Sequence, residues 1–200
     1  MRMMDAISKR RMIRAYTDQP VSREMVVALL EAAIRAPSPH NRQPWRFAVL
    51  SGPARARLAQ AMGAQLRADL LRDGVEPAKA EQDVARSYQR ITSASHCILA
   101  CLTLRDMDRY PDAQRNQVEH WMAGQAVAAA IQNLLLRATE LGLGACWMCA
   151  PLFCPQVVRD TLKLPADWEP QALITLGYPA DAGKARGRMS VEAVTIWIDE

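Results

Sequence analysis

The side chains best suited to chemistry in this chain fall in four places. Lys9, Arg10, Arg11 and Arg14 set several cationic donors within two helical turns. If that segment is extended, Arg10, Met12 and Arg14 share one face. Such a run repels itself unless an anion compensates it, and arginine suits forked recognition of phosphate. Each charge-assisted hydrogen bond to a phosphate contributes roughly 1.5–3 kcal/mol. A solvated charged face is the simpler alternative. Lys184, Arg186 and Arg188 form a second basic group near the other end, which could meet the same phosphate only if the fold joins the two. The third place is residues 36–47, where Pro37, Pro39 and Pro44 stiffen a stretch carrying Ser38, His40, Asn41, Gln43 and Trp45. It reads equally as a tight corner and as a ligand cradle. The fourth is Gly142-Leu143-Gly144, followed by Cys146-x-x-Cys149. The glycines permit close backbone approach but are not a dinucleotide fingerprint. The cysteine pair suggests half a zinc site or a redox dithiol, yet it lies along an expected strand, and the histidines (His40, His96, His120) are scattered. Small buried hydrophobes are the favoured reading. No Ser/His/Asp or Cys/His arrangement is justified, and His120 reads as a surface or interface residue; a cofactor could carry the reaction instead.

The elements that must position these groups follow from periodicity. A short helix over 3–8 leads into the basic run. Ser22 caps a helix with Val26, Leu29, Leu30, Ala33 and Ile34 on one face, stopped by Pro37 near residue 36. A strand is expected over 47–50, helices over 54–71 and 77–91, and a fully buried strand over 97–104. An irregular loop over 106–112 precedes a long helix over 114–141, ended by Gly142. Its alanines (Ala126, Ala128, Ala129, Ala130) allow close backbone approach, which suits a central helix at a subunit contact. A short strand over 145–148, a helix over 155–162 and a strand over 171–177 follow. A polar tail leads to a last run, 191–198, of alternating character. Strands separated by more helix than strand imply a sheet covered by helices.

The 200 residues suit one domain over 1–200, with half of them hydrophobic and a net charge of +4. The basic residues are interspersed with acids, which argues against a nucleic-acid face. The most apolar stretch, 126–136, contains Gln132 and Asn133 and is too short and polar to span a bilayer. Five cysteines with no export signal point to reduced thiols in the cytoplasm.

Three segments resemble one family in order. Arg10-Arg11-Met12-Ile13-Arg14-Ala15-Tyr16 is similar to the opening signature of nitroreductase-family flavoproteins, with Met12 where that signature has Ser. Pro37-Ser38-x-x-Asn41-x-Gln43-Pro44-Trp45-x-Phe47 is similar to its second motif. Gly142-Leu143-Gly144 with Trp147, Pro165 and Gly177-Tyr178-Pro179 matches its carboxy-terminal half. A finer likeness runs through Arg67-Ala68-Asp69-Leu70, Tyr110-Pro111-Asp112, Phe153-Cys154-Pro155 and Leu164-Pro165, with Asp167-Trp168 after them. These resemble the flavin-binding reductase domain of the ligase/reductase of deazaflavin coenzyme (F-420) biosynthesis.

The resemblance implies an α+β, nitroreductase-like fold: a mostly antiparallel mixed sheet covered by helices, its long helix at the interface of a homodimer. It also implies one FMN at each interface site, with hydride moving on and off the flavin. Arg10, Arg11 and Arg14 would hold phosphate and ribityl groups, Met12 contributing backbone only, and Arg186 or Arg188 returning to the phosphate. Pro37 and Pro39 would fix the loop that presents Ser38 and Asn41, from the partner subunit on one reading. Met148 and Cys149 would approach the ring through backbone groups, and Asp69 would touch substrate. No side chain is assigned as catalytic and no metal is expected. The implied partners are a small electron donor, NAD(P)H or a deazaflavin, and an acceptor. A deazaflavin precursor is the first acceptor implied. The alternatives are a general NAD(P)H-dependent nitro or quinone reductase, a non-catalytic flavin or deazaflavin binder, and a zinc or thiol protein built on Cys146, Cys149 and Cys154.

Overall fold

The computed structural model describes residues 3–199; expectations that reach Met1, Arg2 and Glu200, including the outer limits of a 1–200 domain, lie outside the described residues. Four strands build one sheet: β1 (Trp45–Leu50), β2 (His96–Leu102), β3 (Gly144–Met148) and β4 (Glu169–Gly177), in the spatial order β1-β2-β4-β3. Every strand pair is antiparallel. The parallel character is confined, among the described residues, to an isolated bridge between Met12 and Ala145.

The run Cys97-Ile98-Leu99-Ala100-Cys101-Leu102 is apolar without interruption because β2 is central and both its faces are covered. Ile98, Ala100 and Leu102 point into a core with α2 (Arg23–Ala33) and α5 (Ala113–Glu140). Cys97, Leu99 and Cys101 face a second core, closed by α3 (Pro53–Arg72), α4 (Pro77–Thr92) and α6 (Pro155–Leu162). A short helix, α1 (Met3–Lys9), ends on the first residue of the basic run. The result is an α+β sandwich of helix, sheet and helix.

Most element ends agree with local chemistry. Ser22 Oγ accepts from Met25 N–H at 3.3 Å, capping α2, and Asp112 Oδ1 accepts from Arg115 N–H at 2.8 Å, capping α5. Gly142, at φ +74°, turns the chain after α5. Three expectations need correction. The α2 helix ends at Ala33, with 34–36 a turn. The β2 strand stops at Leu102, where Thr103 leaves the ladder to bond the Pro44 carbonyl and the Asp167 carboxylate. Residues 191–198 join no strand: a single turn, Glu192–Val194, breaks an otherwise extended tail whose Ile196, Trp197 and Ile198 are exposed.

Candidate functional site

Residues 10–17 cross the β3 edge of the sheet and fix the first basic group there. Ile13 N–H donates to the Ala145 carbonyl at 3.0 Å, and Thr17 N–H to that of Tyr178 at 2.9 Å. The Tyr16 hydroxyl donates to the Ile13 carbonyl and lies 2.7 Å from Thr175 Oγ1. This approach requires Gly144: a Cβ there would lie 2.7 Å from Ile13 Cγ2.

The tail then returns to the same place. Ala180 N–H bonds the Ala15 carbonyl at 3.0 Å. Gly183, at φ +66°, sits where a Cβ would lie 2.9 Å from Arg11 Cβ. The two basic groups, at opposite ends of the sequence, therefore meet in one cavity of about 570 Å³. Arg10, Arg11, Met12 and Arg14 line it from one side and Lys184, Arg186 and Arg188 from the other. Arg90, from the last turn of α4, completes the wall; sequence reasoning passed over it. Its signal was present, since Arg86 and Arg90 stand four residues apart on one helix face, a like-charge spacing that is unfavourable without an anion.

The electrostatics of this cavity are one-sided. Asp181 is the sole acid lining it, and its Oδ1 already accepts from Gly183 N–H at 2.8 Å. Among the described residues none of the six lining arginines pairs with a carboxylate. Arg10 Nη1 is buried with no hydrogen-bond partner among the described residues. A buried charged donor left unmatched is costly, so the cavity fits an anion with several acceptor oxygens.

A second large cavity, about 690 Å³, shows the opposite pattern. Its Arg105 pairs with Asp167 at 3.2 Å, its Asp108 with Arg42, and its Glu169 with His120 at 2.9 Å. Those charges largely satisfy one another. His120, read as a surface or interface residue, is half-buried, its Nε2 within hydrogen-bond distance of both Glu169 carboxylate oxygens.

The loop over 37–44 is more strained than its prolines alone imply. His40, Asn41 and Gln43 all have positive φ (46°, 54° and 51°). Such residues cost of order 1–3 kcal/mol each and persist only where surroundings hold them. Here Ser38 Oγ accepts from Gln43 N–H at 3.0 Å, Arg42 N–H bonds the Pro39 carbonyl at 2.8 Å, and the Arg42–Asp108 ion pair anchors the tip. Pro37, Ser38 and Pro39 line a small cavity of about 240 Å³ against Met122, Gln125, Ala126 and Ala129 of α5. That cavity shares no lining residue with the basic one. Asn41 lines neither.

Met148 and Cys149 lie at the far end of β3 from Gly144. Cys149 is exposed, contrary to the reading of the pair as buried hydrophobes, whereas Cys146 is buried as expected. Burial pushes the Cys146 and Cys154 thiols up. Among the described residues no group of three or more His, Cys, Asp or Glu could hold a metal ion. Asp69 sits on α3, its carboxylate accepting from Gln65 Nε2 at 2.9 Å and Arg72 Nη2 at 2.7 Å, and it lines neither the basic nor the loop cavity.

The model of the Nitroreductase family matches residues 7–178, which takes in the basic run, the strained loop and all four strands. This chain belongs to the nitroreductase family. An NADH dehydrogenase of Thermus thermophilus is 32% identical over 205 residues, covering 96% of this chain and 94% of its own. A nitrobenzene nitroreductase of Ectopseudomonas oleovorans is 30% identical over 213 residues, covering 96% and 92%. A nitroreductase-type protein of Desulfovibrio desulfuricans, solved in complex with FMN, superimposes with a TM-score of 0.76 at 28% identity, covering 100% of this chain and 98% of its own. The family match stops before Lys184, Arg186 and Arg188, so their place in the basic cavity is read from this structure and not from the nitroreductase model.

Proposed function

We propose that this chain is an FMN-dependent oxidoreductase that carries a hydride from NADH or NADPH to a small nitro or quinone acceptor, acting as a homodimer in the cytoplasm. The observation that carries this reading is the cationic cavity with its unpartnered Arg10 Nη1. The residues present fit FMN: its dianionic phosphate supplies the acceptors that this donor set lacks. When bound, the flavin supplies hydride transfer at its ring.

The chain's own residues bind and orient. Arg10, Arg11, Arg14, Arg186 and Arg188 hold the phosphate, joined by Arg90. Met12 offers backbone groups only. Met148 and Cys149 serve the ring through the backbone at the other end of β3. Ser38 and Asn41 are presented by a loop already locked in shape, so little ordering cost falls on binding. Because that loop lies apart from the basic cavity, its contribution fits the flavin of a second copy. Trp121 on α5 (61% exposed) and the apolar tail, with Trp197 at 81%, supply surface for such a pairing. No side chain is assigned a proton, which solvent can provide.

The relatives, an NADH dehydrogenase and a nitrobenzene nitroreductase, favour NADH as donor and a nitro acceptor. A second reading, reduction of a deazaflavin precursor, is supported by the segments around Asp69, Tyr110 and Phe153 alone. The deciding experiment loads the protein with FMN and follows NADH and NADPH oxidation with nitrobenzene, a benzoquinone and a dehydrogenated deazaflavin precursor. Turnover with the first two is expected. Turnover with the precursor alone establishes the second reading, and bound FMN with no turnover leaves a flavin carrier.

A further inference from the structure

The second large cavity, between residues 102–110, the first turns of α5 and the start of β4, holds one charge outside its pattern of pairs. Four carboxylates and three arginines line it, so the surplus charge is negative. Asp108, Asp167 and Glu169 each have a partner, in Arg42, Arg105 and His120. Glu119, on α5, has none: it makes no hydrogen bond or ion pair among the described residues, although it is only 6% exposed. Arg159 donates instead to Gln156 Oε1 and the Ala166 carbonyl, and Arg109 stands exposed. A carboxylate withdrawn from water without a partner is costly, so the cavity complements a positive charge brought from outside. Its other walls are apolar, with Leu102 and Met107 buried there beside Tyr110. The walls are fixed without a ligand. Tyr110 N–H donates to Asn116 Oδ1 at 2.9 Å, Asn116 Nδ2 returns to the Tyr110 carbonyl at 2.8 Å, and Thr103 Oγ1 holds Asp167 at 2.8 Å.

We propose that this cavity is a binding site for an organic cation, a primary amine on an apolar body, with Glu119 as its counter-ion. A metal ion is the other cation that a carboxylate takes. The three neighbouring carboxylates are already engaged, however, and among the described residues no group of three or more His, Cys, Asp or Glu could hold one. A volume of about 690 Å³ suits a small organic molecule. The ammonium donates to the Glu119 carboxylate in a charge-assisted bond, and the apolar body lies on Leu102, Met107 and Tyr110. The cavity shares no lining residue with the basic one, so the amine and the flavin phosphate occupy separate sites.

Titration calorimetry of the full chain at neutral pH with phenethylamine, and with phenethyl alcohol as its uncharged counterpart, tests this. The amine is expected to bind at least about tenfold more tightly than the alcohol, the worth of one charge-assisted contact. Glu119→Gln should remove that preference while changing FMN affinity less than about twofold. No saturable binding of the amine overturns the proposal. So does equal affinity of the unaltered chain for amine and alcohol, a comparison that holds whether or not the variant folds. A preference for the amine that survives Glu119→Gln also overturns it, as does displacement of the amine by saturating FMN, since the amine then sits at the flavin site.

Discussion

Arg10 illustrates how a functional group can lower the stability of the protein without its ligand: its Nη1 is buried without an acceptor among the described residues, a cost that a bound phosphate would remove. Arg10→Met should therefore weaken FMN binding by about tenfold or more while leaving Tm unchanged or higher, measured by dialysis and thermal melts on the same samples. The thiols yield a second prediction. Burial pushes Cys97 and Cys101 up to about 12, with the Arg55 charge opposing the shift at Cys97 and that of Glu169 adding to it at Cys101. An unfolded thiol titrates near 9.0, so the stability these two contribute is complete below that pH and is lost as pH rises towards 12. Urea midpoints should fall between pH 9 and 10.5, and the Cys97→Ala/Cys101→Ala double variant should show a shallower fall. At this scale Arg10, Arg11 and Arg14 were legible in the sequence as a self-repelling run. Arg90 was passed over although its four-residue spacing from Arg86 was legible, because that spacing carries no mark of the wall it faces. Cys149 is exposed because it lies just past the end of β3, a strand end the sequence did place at Met148.

At the scale of elements, the contact between residues 10–17 and β3 depends on a missing Cβ. Gly144→Ala would push a methyl into Ile13, whose Cγ2 lies 2.7 Å from the ideal position, and should cost about 1–3 kcal/mol as overpacking does. Because Ile13 stands between Arg11 and Arg14, FMN affinity should fall with the melting temperature. The strained loop predicts the reverse response: Gln43→Gly removes a positive-φ cost of about 1 kcal/mol or more, offsetting the added freedom of the unfolded chain. Its Tm should hold or rise where a loop glycine ordinarily lowers it. Helices and strands were readable because hydrophobic period and caps such as Ser22 are local. The left-handed backbone at Gln43 was not, because glutamine does not favour it and the Arg42–Asp108 anchor spans 66 positions.

For the whole molecule, the decisive event is the meeting of the two chain ends. Most of the sequence separates the basic groups; bonds such as Ile13 to Ala145 and Ala180 to Ala15 help put them in one cavity. The same long-range geometry separates the Ser38–Asn41 loop from that cavity, and under the proposed function a second copy presents the loop. Light scattering should give a dimer, and Trp121→Glu should shift it towards monomer with a parallel loss of bound FMN. The most direct test of the site compares FMN with riboflavin, which differ only in the phosphate. If the arginine cavity holds that phosphate through two or more charge-assisted bonds, FMN should bind at least about a hundredfold more tightly to the purified protein, measured by equilibrium dialysis. Equal affinities for FMN and riboflavin would contradict it.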